Sequence, residues 1–371
     1  MNKYFLAAGA LGLSAATAYA GGIERSNQSV GVLFEEGRYL QFSLGHVSPD
    51  VSGSVLPAFA GTLGLDSGNM VDSYLNFGAA YKADINETWS YAIILDQPYG
   101  ADVDYPVTPT YFASGSTAEF NSTALTGILQ YNLPSNVSFY GGVRLQNVEA
   151  EANIPFVAGY EATADRSFGV GYLVGAAYER PDIALRVALT YYSKIEHDLD
   201  TTETSASLLG GPNESTTPIE TPQAVNLEFQ TGIAKDTLLF GSVRWVNWSD
   251  FDITPDDYFA LTSGGSLVSY EDDRTTYTLG IGRRLTEKWS VAGSISHEPS
   301  TGSIVSNLGP TDGFTSVGLA AIYSEGNMEI TTGIRYVWVG DAETAVGTTS
   351  PATEFEDNEA FGIGVQVGFK F

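Results

Sequence analysis

The sequence predicts an all-β fold, a transmembrane antiparallel β-barrel of 14 strands over residues 39–371 behind a short N-terminal hatch-like segment, 21–38. Three observations predict it. The last eleven residues alternate strictly: Phe361, Ile363, Val365, Val367, Phe369 and Phe371 are apolar, while Gly362, Gly364, Gln366, Gly368 and Lys370 are small or polar. That is the period of a strand with one greasy and one wet face. The same alternation recurs from Tyr39 onward in segments near 39–50, 70–82, 88–97, 119–132, 136–149, 166–179, 182–196, 223–234, 237–249, 274–285, 288–297, 314–324, 327–340 and 359–371. Finally, the junctions alternate in length. Short ones rich in Asp, Asn, Gly or Pro, such as Lys82 to Glu87 and Leu133 to Asn136, take turns with long polar ones near 51–69, 98–118, 150–165, 197–222, 250–273, 298–313 and 341–358. A soluble sandwich has no reason to do this, whereas an outer-membrane barrel has short periplasmic turns and long external loops by construction.

Residues 1–20 read as a secretory signal. Lys3 is the basic start, Phe5 to Leu13 the apolar core and Ala18-Tyr19-Ala20 the cleavage site. The core is too short to span a bilayer as a helix. Residues 21–38 have no clear period and carry Glu24, Arg25, Glu35 and Glu36. No later run approaches 18 apolar residues, so a membrane location requires a closed barrel, whose backbone groups are all satisfied. An even strand count puts both termini on the periplasmic side, and the expected location is the bacterial outer membrane.

The strands justify themselves in order. The third is the shortest, followed by Pro98, Tyr99 and Gly100, which remove a ladder donor and relax the backbone. In the seventh, Ile183, Leu185, Val187, Leu189 and Tyr191 alternate with Ala184, Arg186, Ala188, Thr190 and Tyr192. In the thirteenth, Met328, Ile330, Ile334, Tyr336 and Trp338 alternate with Glu329, Thr331, Gly333 and Arg335. The charged sets must face the lumen, because an Arg in mid-membrane costs about 2–4 kcal/mol. Tyr81, Trp89, Tyr131, Phe139, Tyr178 and Tyr323 beside the short turns form the inner aromatic girdle expected of a barrel. Phe371, a terminal aromatic closing an apolar strand, is read as an assembly signal for the barrel assembly machinery.

Arg144, Arg244 and Arg335 are inward charges at similar depth. Glu228 is expected to pair with Arg244 across the hairpin turning at Lys235-Asp236. The plainer role for these arginines is neutralising lumen carboxylates; the sharper one is gripping a ligand carboxylate. Leu238, Phe240, Val246 and Trp248 share one inward face, apolar residues suited to a hydrophobic ligand. The net charge of -27 argues against nucleic acid, and the absence of cysteine excludes disulfides and thiolate metal sites. Asp250, Asp252, Asp256 and Asp257, and separately Glu354, Glu356, Asp357 and Glu359, lack EF-hand spacing and read as solvated surface. No catalytic motif, metal site or cofactor is expected.

The order of Gly171-Tyr172-Leu173-Val174-Gly175, Arg186 to Ser193, Trp248-Ser249-Asp250-Phe251, Thr221-Pro222, Pro98-Tyr99-Gly100 and Glu119-Phe120-Asn121 resembles the FadL/TodX family of outer-membrane channels for long-chain fatty acids and other hydrophobic compounds. The resemblance implies a lumen plugged by an N-terminal hatch, passive uptake, and a lateral exit at a kink in the third strand, Pro98 to Gly100 here. Phe251, Tyr258, Phe259, Leu261, Leu208 and Leu209 would catch ligand in the outer loops. The sequence departs from the family in having no Asn-Pro-Ala element and only about 17 hatch residues, Gly21 to Gly37. Expected partners are a long-chain fatty acid or other hydrophobic small molecule, outer-membrane lipid and lipopolysaccharide, with the protein a monomer. A general diffusion porin and a structural or adhesion barrel remain alternatives.

Overall fold

The computed structural model describes residues 22–60, 65–108, 110–205, 211–347 and 350–371; the predicted signal segment, Leu208 and Leu209 lie outside them. Fourteen strands form the wall: β1 Tyr39–Asp50, β2 Tyr74–Asp84, β3 Trp89–Asp96 resuming as Gly100–Asp104, β4 Thr117–Asn132, β5 Val137–Ile154, β6 Tyr160–Arg180 and β7 Leu185–Tyr192 resuming as Ile195–Thr204. They continue with β8 Asn213–Thr221 resuming as Ala224–Ala234, β9 Thr237–Val246, β10 Arg274–Arg284, β11 Trp289–Glu298, β12 Phe314–Glu325, β13 Met328–Val339 and β14 Glu359–Lys370. Each pairs antiparallel with its neighbour in sequence, and β1 closes on β14 through a register from Tyr39 opposite Lys370 to Asp50 opposite Glu359. The Phe371 N–H donates to the Arg38 carbonyl at 3.0 Å, finishing the seam. No helix among the described residues is long and apolar enough to cross a membrane. The closed wall has no free edge to satisfy, as a bilayer demands.

The two faces follow the alternation. On β14, Phe361, Ile363 and Val365 are exposed, as is Phe371 just past its end, while Gly362 and Gln366 are buried. On β7, Val187 and Leu189 are exposed and Arg186, Ala188 and Thr190 are buried. The inner girdle is present as contacting aromatic pairs, Trp89 with Tyr131 at 4.8 Å and Trp289 with Tyr323 at 4.9 Å. At the outer end Tyr336 meets Trp338 edge-on at 4.9 Å.

Two stretches expected to be loops are strands. β5 and β6 extend through most of 150–165, and β7 and β8 pair as a hairpin from Ile195 opposite Thr221 to Glu203 opposite Asn213. The reason lies in what surrounds them. Glu149, Glu151, Glu161, Asp165, Asp198 and Asp200 occupy the exposed face there, while Val148, Ala162, Leu199 and Thr201 are buried. Beyond the lipid a strand needs no apolar outer face, so its polar residues resemble a loop.

The N-terminal segment lies inside the barrel. Ile23, Val30, Val32 and Leu33 are buried, and a single 3-10 turn, Gly31–Phe34, sets Phe34 edge-on to Tyr140 at 6.2 Å with Arg186 over its ring at 4.6 Å.

Candidate functional site: a shuttered window in the wall

Six residue pairs join β2 and β3, from Asp84 opposite Ser90 to Ala79 opposite Leu95. Above Leu95 the ladder stops. Pro98 has no amide hydrogen to give, and the chain turns inward through Gln97, Pro98 and Tyr99 before resuming at Gly100. The strands meet again only higher up, where the Asp72 N–H donates to the Asp102 carbonyl at 3.1 Å and Val71 bridges Val103. Between these two seals is a window bordered by Leu75 to Gly78 on one lip and Gln97 to Ala101 on the other. A side chain spans it, the Phe77 N–H donating to Gln97 Oε1 at 2.9 Å. The Tyr99 N–H donates to Ser122 Oγ at 2.8 Å, so β4 holds the displaced backbone in place.

The N-terminal segment closes the window from within by supplying the missing backbone partners. The Arg25 N–H donates to the Pro98 carbonyl and the Gly100 N–H to the Ile23 carbonyl, both at 2.8 Å. Side chains fasten it to both lips. Asn76 on β2 donates to the Arg25 carbonyl, the Arg25 guanidinium pairs with Asp102 and lies 4.3 Å from the Tyr74 ring centre, and Ser26 Oγ donates to Asp96 at 2.8 Å. A Cβ on Gly100 would collide with the Arg25 guanidinium, so glycine here lets this side chain cross.

Two cavities flank the shutter. One, of about 120 Å³, reaches from Ser26, Gln28 and Arg144 in the lumen to Phe77, Ala79 and Leu95 at the window. The other, of about 50 Å³, lies on the outer side and is bordered by Ile23, Ala118, Ala150, Ala162, Ile219 and Leu267 among others. Trp248 stands beside the shutter, over Gly22, in edge contact with Tyr99 at 5.7 Å and against Phe251 and Tyr270. Burial pushes the Tyr270 phenol above its ordinary range, with Arg274 opposing. Toward the periplasm the inner wall is lined by buried polar side chains that bond between nearby strands, Ser90 to Gln130 at 2.9 Å, Gln130 to Ser138 at 3.1 Å and Tyr140 with Thr190 at 2.8 Å.

Sequence-predicted residues distribute unevenly around this site. Pro98, Tyr99 and Gly100 form one lip, and Arg144 borders the inner cavity, bonded to Gln28 and 3.5 Å from Asp96. Arg244 does not pair with Glu228. The register sets it opposite Asn226 and Glu228 opposite Ser242, and Arg244 forms its ion pair with Glu24, while Ser29 Oγ donates to Glu228 at 2.5 Å. Arg335, opposite Gly318 and Gly362, borders neither cavity. Phe240 fills the space over Gly280 and packs with Leu238, Ala292 and Ile322. Trp248 is inward but not on the strand, because β9 ends at Val246 and a 3-10 turn carries it. Of the outer-loop residues, Phe251 is buried against Trp248 while Phe259 is exposed. Sequence reasoning gave Glu24 and Arg25 no role and did not single out Gln28 or Ser29; charges in a short aperiodic segment were the available signal.

The family model "outer membrane protein transport protein (OMPP1/FadL/TodX)" matches residues 36–371. Among solved structures, the chain is similar to a Pseudomonas aeruginosa FadL homologue, 14% identical over 98% of each chain with a TM-score of 0.75. It is also similar to the P. putida toluene transporter TodX, 12% identical over 91% of each chain at 0.64, and to the Ralstonia pickettii toluene transporter TbuX, 13% identical over 98% of each at 0.64. At these identities the likeness shows the fold. No curated protein matches the sequence. The match over nearly the whole barrel settles the relationship: this outer-membrane β-barrel belongs to the FadL/TodX family of hydrophobic-compound transport proteins, a channel family and not an enzyme family.

Proposed function

We propose that the protein takes up long-chain fatty acids or similar hydrophobic compounds by passive diffusion, and that the ligand leaves sideways through the β2–β3 window into the membrane. The observation that carries this reading is the window itself: a gap sealed above and below, with apolar Phe77, Ala79 and Leu95 at the cavity that reaches it, above a stretch of inner wall lined by hydrogen-bonded polar side chains. An apolar solute going straight down would lie against that polar wall, at about 1–3 kcal/mol for each group it left unsatisfied. Going sideways, it has to displace the shutter's own contacts to Asp96 and Asp102, and it then meets Phe77, Ala79 and Leu95 on the way to the lipid. A general diffusion porin is disfavoured by the N-terminal segment, which occupies the lumen and is held by ion pairs to Asp102 and Arg244.

The chain contains no cysteine, so a pair introduced as Phe77→Cys and Gln97→Cys would supply its only thiols. Oxidation should link the lips and block uptake of labelled oleate or toluene into cells, and reductant should restore it. Unchanged uptake with the bridge formed would sink the lateral route.

A further inference from the structure

We infer that a groove on the lipid face of the barrel guides a fatty acid from the window down to the inner leaflet, where Arg283 receives its carboxylate; this rests on the lateral exit proposed above. The groove, of about 1000 Å³, runs along β2, β1 and then β14 back to β10. Its banks are two rows of side chains set by the pairing register. One leads from Leu75 and His46 to Ile281, the other from Leu44 through Thr332 to Arg283. Leu44, Leu75 and Ile281 are exposed, which places the groove outside the wall. Gly293 and Ala321 keep it open, since larger side chains there would fill it.

The two ends fix the direction. Leu75 belongs to the window lip and lies one residue from the outer end of β2, whereas Arg283 lies one residue from the inner end of β10. The groove therefore descends from the window to the periplasmic interface. It crosses six strand spacings on the way, about 29 Å at about 4.8 Å each, comparable to the roughly 30 Å of hydrocarbon. Side chains able to bond a carboxyl group stand at its top, His46, at its middle, Thr332, and at its foot, Thr237 and Arg283. Arg283 is exposed and donates to Thr237 Oγ1 at 2.9 Å. It forms no ion pair among the described residues, because the nearby Asp236 sits with Arg284 at 3.9 Å. Its guanidinium is thus open to a carboxylate, which it can bind through two parallel bonds, while its stem lies along apolar surface. An acid moving down the groove keeps its chain on apolar banks and meets a bonding partner for its head at each stage. A solute with no head group gains nothing from Arg283.

The test places the full barrel in phosphatidylcholine vesicles at pH 8 with a bimane on one introduced cysteine, either Leu319→Cys on the groove bank or Val174→Cys on the lipid face of β6. In the otherwise unaltered barrel, 10-doxylstearate should quench the label at 319 several-fold more steeply than the label at 174, and its methyl ester should quench both alike. Arg283→Gln should remove the preference and Arg283→Lys should keep most of it. The heat-modifiable gel shift of a folded barrel checks each variant. Equal quenching at the two positions, or a preference that survives Arg283→Gln, would overturn the site. A doxyl-labelled phosphatidylglycerol that outcompetes the stearate at position 319 would make the groove a phospholipid site and overturn the fatty-acid assignment. None of these measurements needs passage through the window, so they judge the site apart from the lateral exit. In cells, Arg283→Gln should slow oleate uptake several-fold and leave toluene uptake unchanged; an equal effect on both, or none on oleate, would overturn the guiding role. Failure of the unaltered protein to take up either compound would instead sink the channel reading, and the guiding role with it.

Discussion

Arg25 touches both lips of the window through different atoms: its carbonyl accepts from Asn76 on β2, and its guanidinium pairs with Asp102 on the resumed part of β3. Losing the guanidinium removes a charge-assisted bond worth about 2 kcal/mol. Arg25→Ala should therefore leave the barrel folded but raise the rate of toluene uptake by cells, and an unchanged rate would show that the shutter is held elsewhere. Gly100→Ala should act in the same direction, because the added methyl group collides with Arg25 Cζ. Pro98 to Gly100 was legible in the sequence but the latch was not: Glu24 and Arg244 stand 220 positions apart, and local patterning carries no information about such pairs. The expected Glu228–Arg244 pair failed for a related reason. A hairpin turn fixes the register, and the register placed Asn226 opposite Arg244.

The same alternation means different things along one strand. Val143 and Glu149 both lie on the outward face of β5, yet Val143 is 60% exposed toward lipid and Glu149 forms a bidentate, exposed pair with Arg166. Val143→Arg should cost about 2–4 kcal/mol in denaturant unfolding from lipid vesicles. Arg166→Ala, removing a surface ion pair, should cost less than about 1 kcal/mol. Comparable costs at the two positions would mean that the lipid boundary has been misplaced. This boundary explains which elements the sequence revealed. Strands inside the bilayer announce themselves by apolar outer residues, and all fourteen were found. Their extensions above it, such as Glu149 to Ile154 and Ile195 to Thr204, keep the pairing but lose that marker.

At the scale of the whole molecule, wall and shutter are separable. The seam between β1 and β14 runs the full length of β1 and uses no residue of the segment before Arg38. The shutter is fastened by backbone bonds at Pro98 and Gly100 and by side chains, Glu24 to Arg244, Arg25 to Asp102 and Gln28 to Arg144. Replacing Glu24, Arg25 and Gln28 together by alanine should then free the segment while the barrel stays closed. The arginines and carboxylates left behind, Arg144, Arg244 and Asp102, are hydrophilic and would draw water into the space it leaves. In planar bilayers the unaltered protein should show no steady large conductance, because the lumen is filled. The triple variant should show stable single-channel steps that favour cations, given the acidic exposed face of the outer strands. A triple variant that remains silent would mean that the strands themselves close the lumen. A large conductance already present in the unaltered protein would mean that the segment does not block it and would favour the porin reading.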